Sequence, residues 1–252
     1  MGNPKVQVNQ LGDIMFNKQC VEVLKQTSNI TDTLVLKYPF THAVSAERNV
    51  IVKIPVSALD STEFKDIGFN HSLNDFLNLI ALFGDDAEIS QSDDIITIKK
   101  AGTTSTFITD DISLLTQYNI DDAQNERTHQ CTTVATFDLD VDDIDKLKKA
   151  SSVLKTLTDL NFESKDGNIN IYLNNTAIMN AKSNSYNIQK SAKTEKEFNL
   201  TMLMVDFAKL PQTNYEVEVK CNENAKKNNY RLLLKSKELA DFEIILGVTT
   251  VE

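Results

Sequence analysis

Short runs rich in Val, Ile, Thr, Phe and Tyr, broken by turn residues, dominate the chain and predict strands. In the first half these are Lys5–Gln10, Thr33–Tyr38, Val50–Val56, Ile95–Lys100 and Thr104–Ile108. In the second half they are Val134–Asp140, Asn168–Leu173, Ser185–Gln189, Glu197–Leu203, Tyr215–Lys220, Tyr230–Lys235 and Phe242–Val248. Lys165-Asp166-Gly167-Asn168 is a strong hairpin signal; Ser92-Asp93-Asp94 and Asn222-Glu223-Asn224 are weaker ones.

Four segments switch to the helical period. Asn17–Thr27 gathers Cys20, Val21, Val23, Leu24 and Thr27 on one side. Leu73–Phe83 does so with Leu73, Phe76, Leu77 and Ile80, between an N-cap at Ser72 and a stop at Gly84. Asp142–Thr156 places Ile144, Leu147, Ala150 and Leu154 on one stripe, with Asp142 and Asp143 at its positive end. Met204–Leu210 is short and ends at Pro211.

A helix followed by several strands thus recurs from near residues 17, 73, 142 and 204. This is an internal repeat, two units to a domain. The expected fold is α+β, with two similar domains, each carrying helices on one face of antiparallel sheets. Residues 1–120 form the first, 121–133 a polar connector and 134–252 the second. The helices' outer faces would share one surface, and if such domains joined into a ring, that surface could line the hole.

Composition narrows the chemistry. Seven glycines in 252 residues never fall within five positions of one another, so neither a dinucleotide fingerprint nor a P-loop can be written. Cys20, Cys131 and Cys221 are too scattered for a disulfide framework or a zinc cluster. No run reaches a membrane span, and Met1–Val6 lacks the apolar core of a signal peptide. The expectation is a cytoplasmic protein without a cofactor. Net charge is −10, unevenly spread: residues 1–127 hold 10 basic and 18 acidic side chains, residues 128–252 hold 16 and 18.

The run from Leu73 to Ser92, above all Asp85-Asp86-Ala87-Glu88-Ile89-Ser90-Gln91-Ser92, resembles the DNA polymerase sliding clamps of T-even-type bacteriophages. Phe16-Asn17-Lys18 with Val23-Leu24-Lys25, Asp142-Asp143-Ile144 with Leu147 and Lys149, and Asn168-Ile169-Asn170-Ile171 fit the same family. The resemblance implies a homotrimeric ring that encircles double-stranded DNA without reading its sequence. It implies a processivity factor with no chemistry of its own. It also implies a clamp loader ATPase that opens the ring and a DNA polymerase that docks on it. The family's aromatic-proline run and proline-rich link are absent here: the equivalent positions read Phe107-Ile108-Thr109-Asp110.

On that reading Lys18, Lys25, Lys146, Lys148, Lys149, Lys155 and Lys209 face the DNA. Tyr118 and Ile120 flank a groove for partner peptides, and Phe107 and Ile188 lie on the strands that join subunits. Asp138-x-Asp140-x-Asp142 begins like a calcium loop but has Asp143 where glycine is needed and Lys149 where glutamate is needed. The acidic pairs Asp93-Asp94 and Asp110-Asp111 read as caps rather than metal ligands. The alternative function is a β-rich oligomeric phage virion or scaffold protein that does not encircle DNA.

Overall fold

A computed structural model describes residues 16, 18–56, 65–84, 86–118, 122–175, 185–224 and 229–251, with backbone only at 116–118 and 122–125. The strand expected at Lys5–Gln10 lies outside them. From α1 (Lys18–Ser28) the chain runs through β1 (Leu34–Leu36), β2 (Thr41–Val44), β3 (Val50–Ile54), β4 (Ile67–Phe69), α2 (Leu73–Phe83), β5 (Glu88–Ser92), β6 (Ile95–Lys100) and β7 (Thr103–Ile108). A 3-10 turn at Ile112–Tyr118 and α3 (Asp122–His129) follow. The second half is β8 (Thr132–Leu139), α4 (Val141–Val153), β9 (Asp159–Lys165), β10 (Asn168–Asn174), β11 (Tyr186–Thr194), β12 (Phe198–Leu203), α5 (Met204–Ala208), β13 (Tyr215–Asn222), β14 (Asn229–Ser236), β15 (Glu243–Gly247) and β16 (Thr249–Thr250).

The order helix, four strands, helix, three strands therefore occurs twice, from α1 and again from α4. The pairing repeats with it. The pair β1–β4 matches β9–β12, β2–β3 matches β10–β11, and β5–β6–β7 matches β13–β14–β15, all antiparallel. The halves join because β15 pairs with β3, through Glu243–Lys53, Ile244–Val52, Ile245–Ile51 and Leu246–Val50. One sheet of eleven strands thus crosses from one half to the other.

Turn chemistry sets the registers. Asp166 and Gly167 both have positive φ in the β9–β10 hairpin, as Ala101 and Gly102 do between β6 and β7. Gly68 of β4 has another origin: its carbonyl accepts the Asp110 amide at 2.9 Å, and a Cβ there would lie 2.4 Å from the Asp110 carbonyl oxygen. The core is built from the inward faces of the strands plus one stripe from each of α1, α2 and α4; in the first half it centres on Phe69, Phe76 and Phe107, whose rings touch one another, with Phe16 against Phe76.

A β-bulge adds a second kind of contact. Val219 faces Ala135 but Lys220 faces Thr133, so Val134 is the extra residue and the Thr133 hydroxyl comes beside Lys220. The Lys220 ammonium reaches Glu218 Oε2 at 2.7 Å and donates to Thr133 Oγ1 at 2.8 Å. Lys235 of β14 engages the other Glu218 oxygen. Burial alone would raise the Glu218 pKa; the hydrogen bonds from Lys220 and Lys235 outweigh it and pull it down to about 2.

Candidate nucleic-acid interface

Each half has one helix with a basic outer side. In α1, Cys20, Val23, Leu24 and Thr27 are buried and fix the phase; Lys18 and Lys25 are left exposed with Gln19 and Glu22. The buried Thr27 hydroxyl donates to the Val23 carbonyl at 2.8 Å, so it costs no unsatisfied group. Neighbouring α2 carries no lysine; its exposed positions are Asn74, Asp75, Asn78, Ala81 and Leu82. Ser72 holds the expected N-cap position of α2, but its side chain makes no capping hydrogen bond. Its hydroxyl donates to Asp110 Oδ2, while Asp32 Oδ1 accepts the Asn74 amide at 2.7 Å and takes the capping role.

In α4, Ile144 and Leu147 are buried. The Asp140 amide donates to Asp143 Oδ2 at 3.2 Å, and Lys190 of β11 reaches both carboxylates. The Lys190 hydrogen bond holds the Asp140 carboxyl below its ordinary pKa. The expected basic residues then divide. Lys146, Lys149 and Lys155 are exposed, and Lys149 pairs with Asp145 one turn earlier, which raises its pKa. Lys148 is half-buried and donates to the Leu210 carbonyl at 2.7 Å, bracing α4 against the end of α5; burial lowers its pKa. Lys209 is held by Asp206 at 3.3 Å and by Glu47 of the other half at 3.8 Å. Helical phase identified the outward lysines but could not reveal these two distant anchors.

Phe107 is half-buried and turns its ring onto Phe69 and Phe76. Its strand, β7, is nonetheless the edge of a three-stranded sheet. Ile188 is half-buried on β11, whose residues 186–191 pair with β10 on one side while only 192–194 reach β8 on the other. Ile120 and the Tyr118 side chain lie outside the described residues. Among the described residues no three His, Cys, Asp or Glu side chains group as metal ligands, and no helix is long and apolar enough to cross a membrane. Of the calcium-like run, Asp138 pairs with Lys237 and Asp140 with Lys190.

No family model matches the chain, and no curated protein matches it. Solved structures do. The proliferating cellular nuclear antigen of Entamoeba histolytica aligns with TM-score 0.62 at 11% identity, over 92% of this chain and 95% of that one. The A. fulgidus PCNA bound to the C-terminal region of FEN-1 aligns with TM-score 0.62 at 14% identity, over 95% and 98%. The DNA polymerase sliding clamp of Caulobacter crescentus aligns with TM-score 0.62 at 9% identity, over 95% of this chain but 65% of that one. An α+β chain whose helix-and-strand unit occurs twice, with one antiparallel sheet crossing between the halves, has the fold of the DNA sliding clamps.

Proposed function

We propose that three copies of this chain close into a ring around duplex DNA and tether a replicative DNA polymerase, as in T-even-type phages. The observation that carries this reading is the open second joint. Within the chain β15 lies on β3. Their counterparts in the repeat are β7, at a sheet edge, and β11, whose residues 186–191 pair on one side only among the described residues. Each chain therefore offers both halves of a second joint, and head-to-tail use of them builds a closed ring when the rotation per chain allows it. Two domains per chain, divided by the connector at 121–133, then make six around the hole.

A ring stays on DNA by linkage, so strong phosphate binding is unnecessary. Lys18, Lys25, Lys146, Lys149 and Lys155 supply weak, sequence-independent attraction. Lys148 and Lys209 contribute less, because each is held inside the chain. Partner peptides dock beside the connector at Tyr118 and Ile120, a reading supported by exposed Ile112 and Leu114 in the turn leading into it. Opening falls to a clamp loader ATPase.

The test is retention on nicked circular DNA after loading. The ring reading expects the protein to stay on the circle and to be lost within one dissociation step once the circle is cut. Equal retention on circle and linear DNA would refute it and favour a scaffold that does not encircle.

A further inference from the structure

The segment between the two halves is fastened differently at its two ends. At its leading end the fastening is buried. The Asp110 amide donates to the Gly68 carbonyl at 2.9 Å, and Asp110 Oδ2 accepts the Asn70 amide and the Ser72 hydroxyl, each at 2.9 Å. Leu115, in the 3-10 turn that follows, is 1% exposed and packs on Gly68. At the trailing end, α3 reads Asp122-Ala123-Gln124-Asn125-Glu126-Arg127-Thr128-His129 and adds no side chain to the apolar core among the described residues. Two hydrogen bonds tie its last turn to the sheet. Thr128 is buried, and its Oγ1 accepts Arg231 Nη1 of β14 at 3.0 Å; His129 Nε2 donates to Glu243 Oε2 of β15 at 2.9 Å. Glu243 also faces Lys53 across the seam, with 4.0 Å between the charged atoms, so the carboxylate keeps a cationic neighbour whether or not α3 is seated. The His129 side chain is 36% exposed, so water can take its place. A polar helix of eight residues does not persist alone, since isolated helices need about 12–15 residues even with good formers. The order of α3 therefore depends on those two bonds.

We propose that α3 is a detachable latch: its bonds to Arg231 and Glu243 hold it on β14 and β15, and their release melts it while the leading end stays fixed. Eight residues span about 12 Å as a helix and about 26 Å extended, so release yields about 14 Å of slack. That slack lies next to the place where partner docking is proposed above, and only this last consequence rests on that reading. A partner that draws on the segment meets two polar bonds rather than a packed core, so seating and release can alternate without disturbing either half.

The experiment is hydrogen–deuterium exchange on the full chain, read by mass spectrometry over residues 112–118 and 122–130. It compares wild type, the double change Thr128→Val with His129→Ala, and His129→Gln alone. Wild type should protect both stretches. The double change should cut protection of 122–130 by about tenfold or more, as loss of two hydrogen bonds does, and leave 112–118 within about threefold of wild type. His129→Gln keeps a donor for Glu243 and should lose less than about threefold. The melting temperature should move by less than about 3 °C in every variant, because no core contact is lost. The latch is overturned by an α3 that is unprotected in wild type, or by a double variant that protects it as wild type does. It is equally overturned by a His129→Gln loss as large as the double variant's, or by a loss shared with 112–118 and accompanied by a lower melting temperature. The readout does not depend on oligomeric state, so such a result leaves the ring reading untouched, and a chain that proves monomeric leaves the latch standing.

Discussion

Replacing Glu218 by Gln removes the charge that two ammonium groups share. The Lys220 side chain is 8% exposed and Glu218 is 15% exposed, so water cannot replace the lost partner well. Breaking a fully buried pair costs about 3–5 kcal/mol; Gln keeps one acceptor for Lys220 and Lys235 is partly solvated, so about 2 kcal/mol is expected here. The pH dependence has a definite sign. The Glu218 pKa is depressed to about 2 in the folded protein, against an ordinary value of 4.5. Its contribution is therefore present above about pH 5, fades as pH falls through the range between those values, and is gone below about pH 2. Urea denaturation of wild type and Glu218→Gln at pH 7 and pH 3 reads this directly: the gap should narrow in acid. The double change Glu218→Gln with Lys220→Met should recover most of the loss, because it leaves no buried charge unpaired. A gap below about 0.5 kcal/mol at pH 7, within the range of ordinary surface substitutions, or one that does not shrink at pH 3, would refute the assignment.

Other outcomes follow from single contacts. Gly68→Ala forces a Cβ to 2.4 Å from the Asp110 carbonyl oxygen and should cost about 1–3 kcal/mol in denaturation midpoint analysis, as overpacking does. Charge reversal at Lys18, Lys25 and Lys149 together should leave assembly intact and shorten retention on circular DNA; unchanged retention at ordinary salt rejects the inner-face assignment. Cys20 and Cys221 are buried, and burial pushes the Cys20 thiol up to about 12, so a thiol reagent should modify about one cysteine per native chain, Cys131, before unfolding exposes the others.

The helices α1, α2, α4 and α5 and the repeat are legible because their signals are local, whereas α3, DAQNERTH, has no apolar stripe and reads as part of the polar connector. Leu73–Phe83 has the bounds its apolar spacing and Gly84 predict. The strands β2, β4, β5, β9 and β16 fall outside the segments that the sequence pattern predicts. Strand β4 is three residues and buried throughout, so it shows no alternation, and β9 contains Asn161, a buried amide that donates to Asn174 Oδ1 at 2.7 Å. A polar residue satisfied across strands looks, in one dimension, like a loop residue. The same limit applies to the basic face. Phase shows that Lys149 points outward, but Lys148 is occupied by a carbonyl 62 positions away, which only the folded chain brings near.

The β15–β3 pairing has a mechanical meaning. Backbone hydrogen bonds run across the seam between the halves, reinforced where Gly247 donates to the Asn49 carbonyl at 2.7 Å. Bending the molecule at that seam would shear several of these bonds together, so the two halves should move as one stiff body. In the proposed ring, compliance would then lie at the boundaries from one polypeptide to the next.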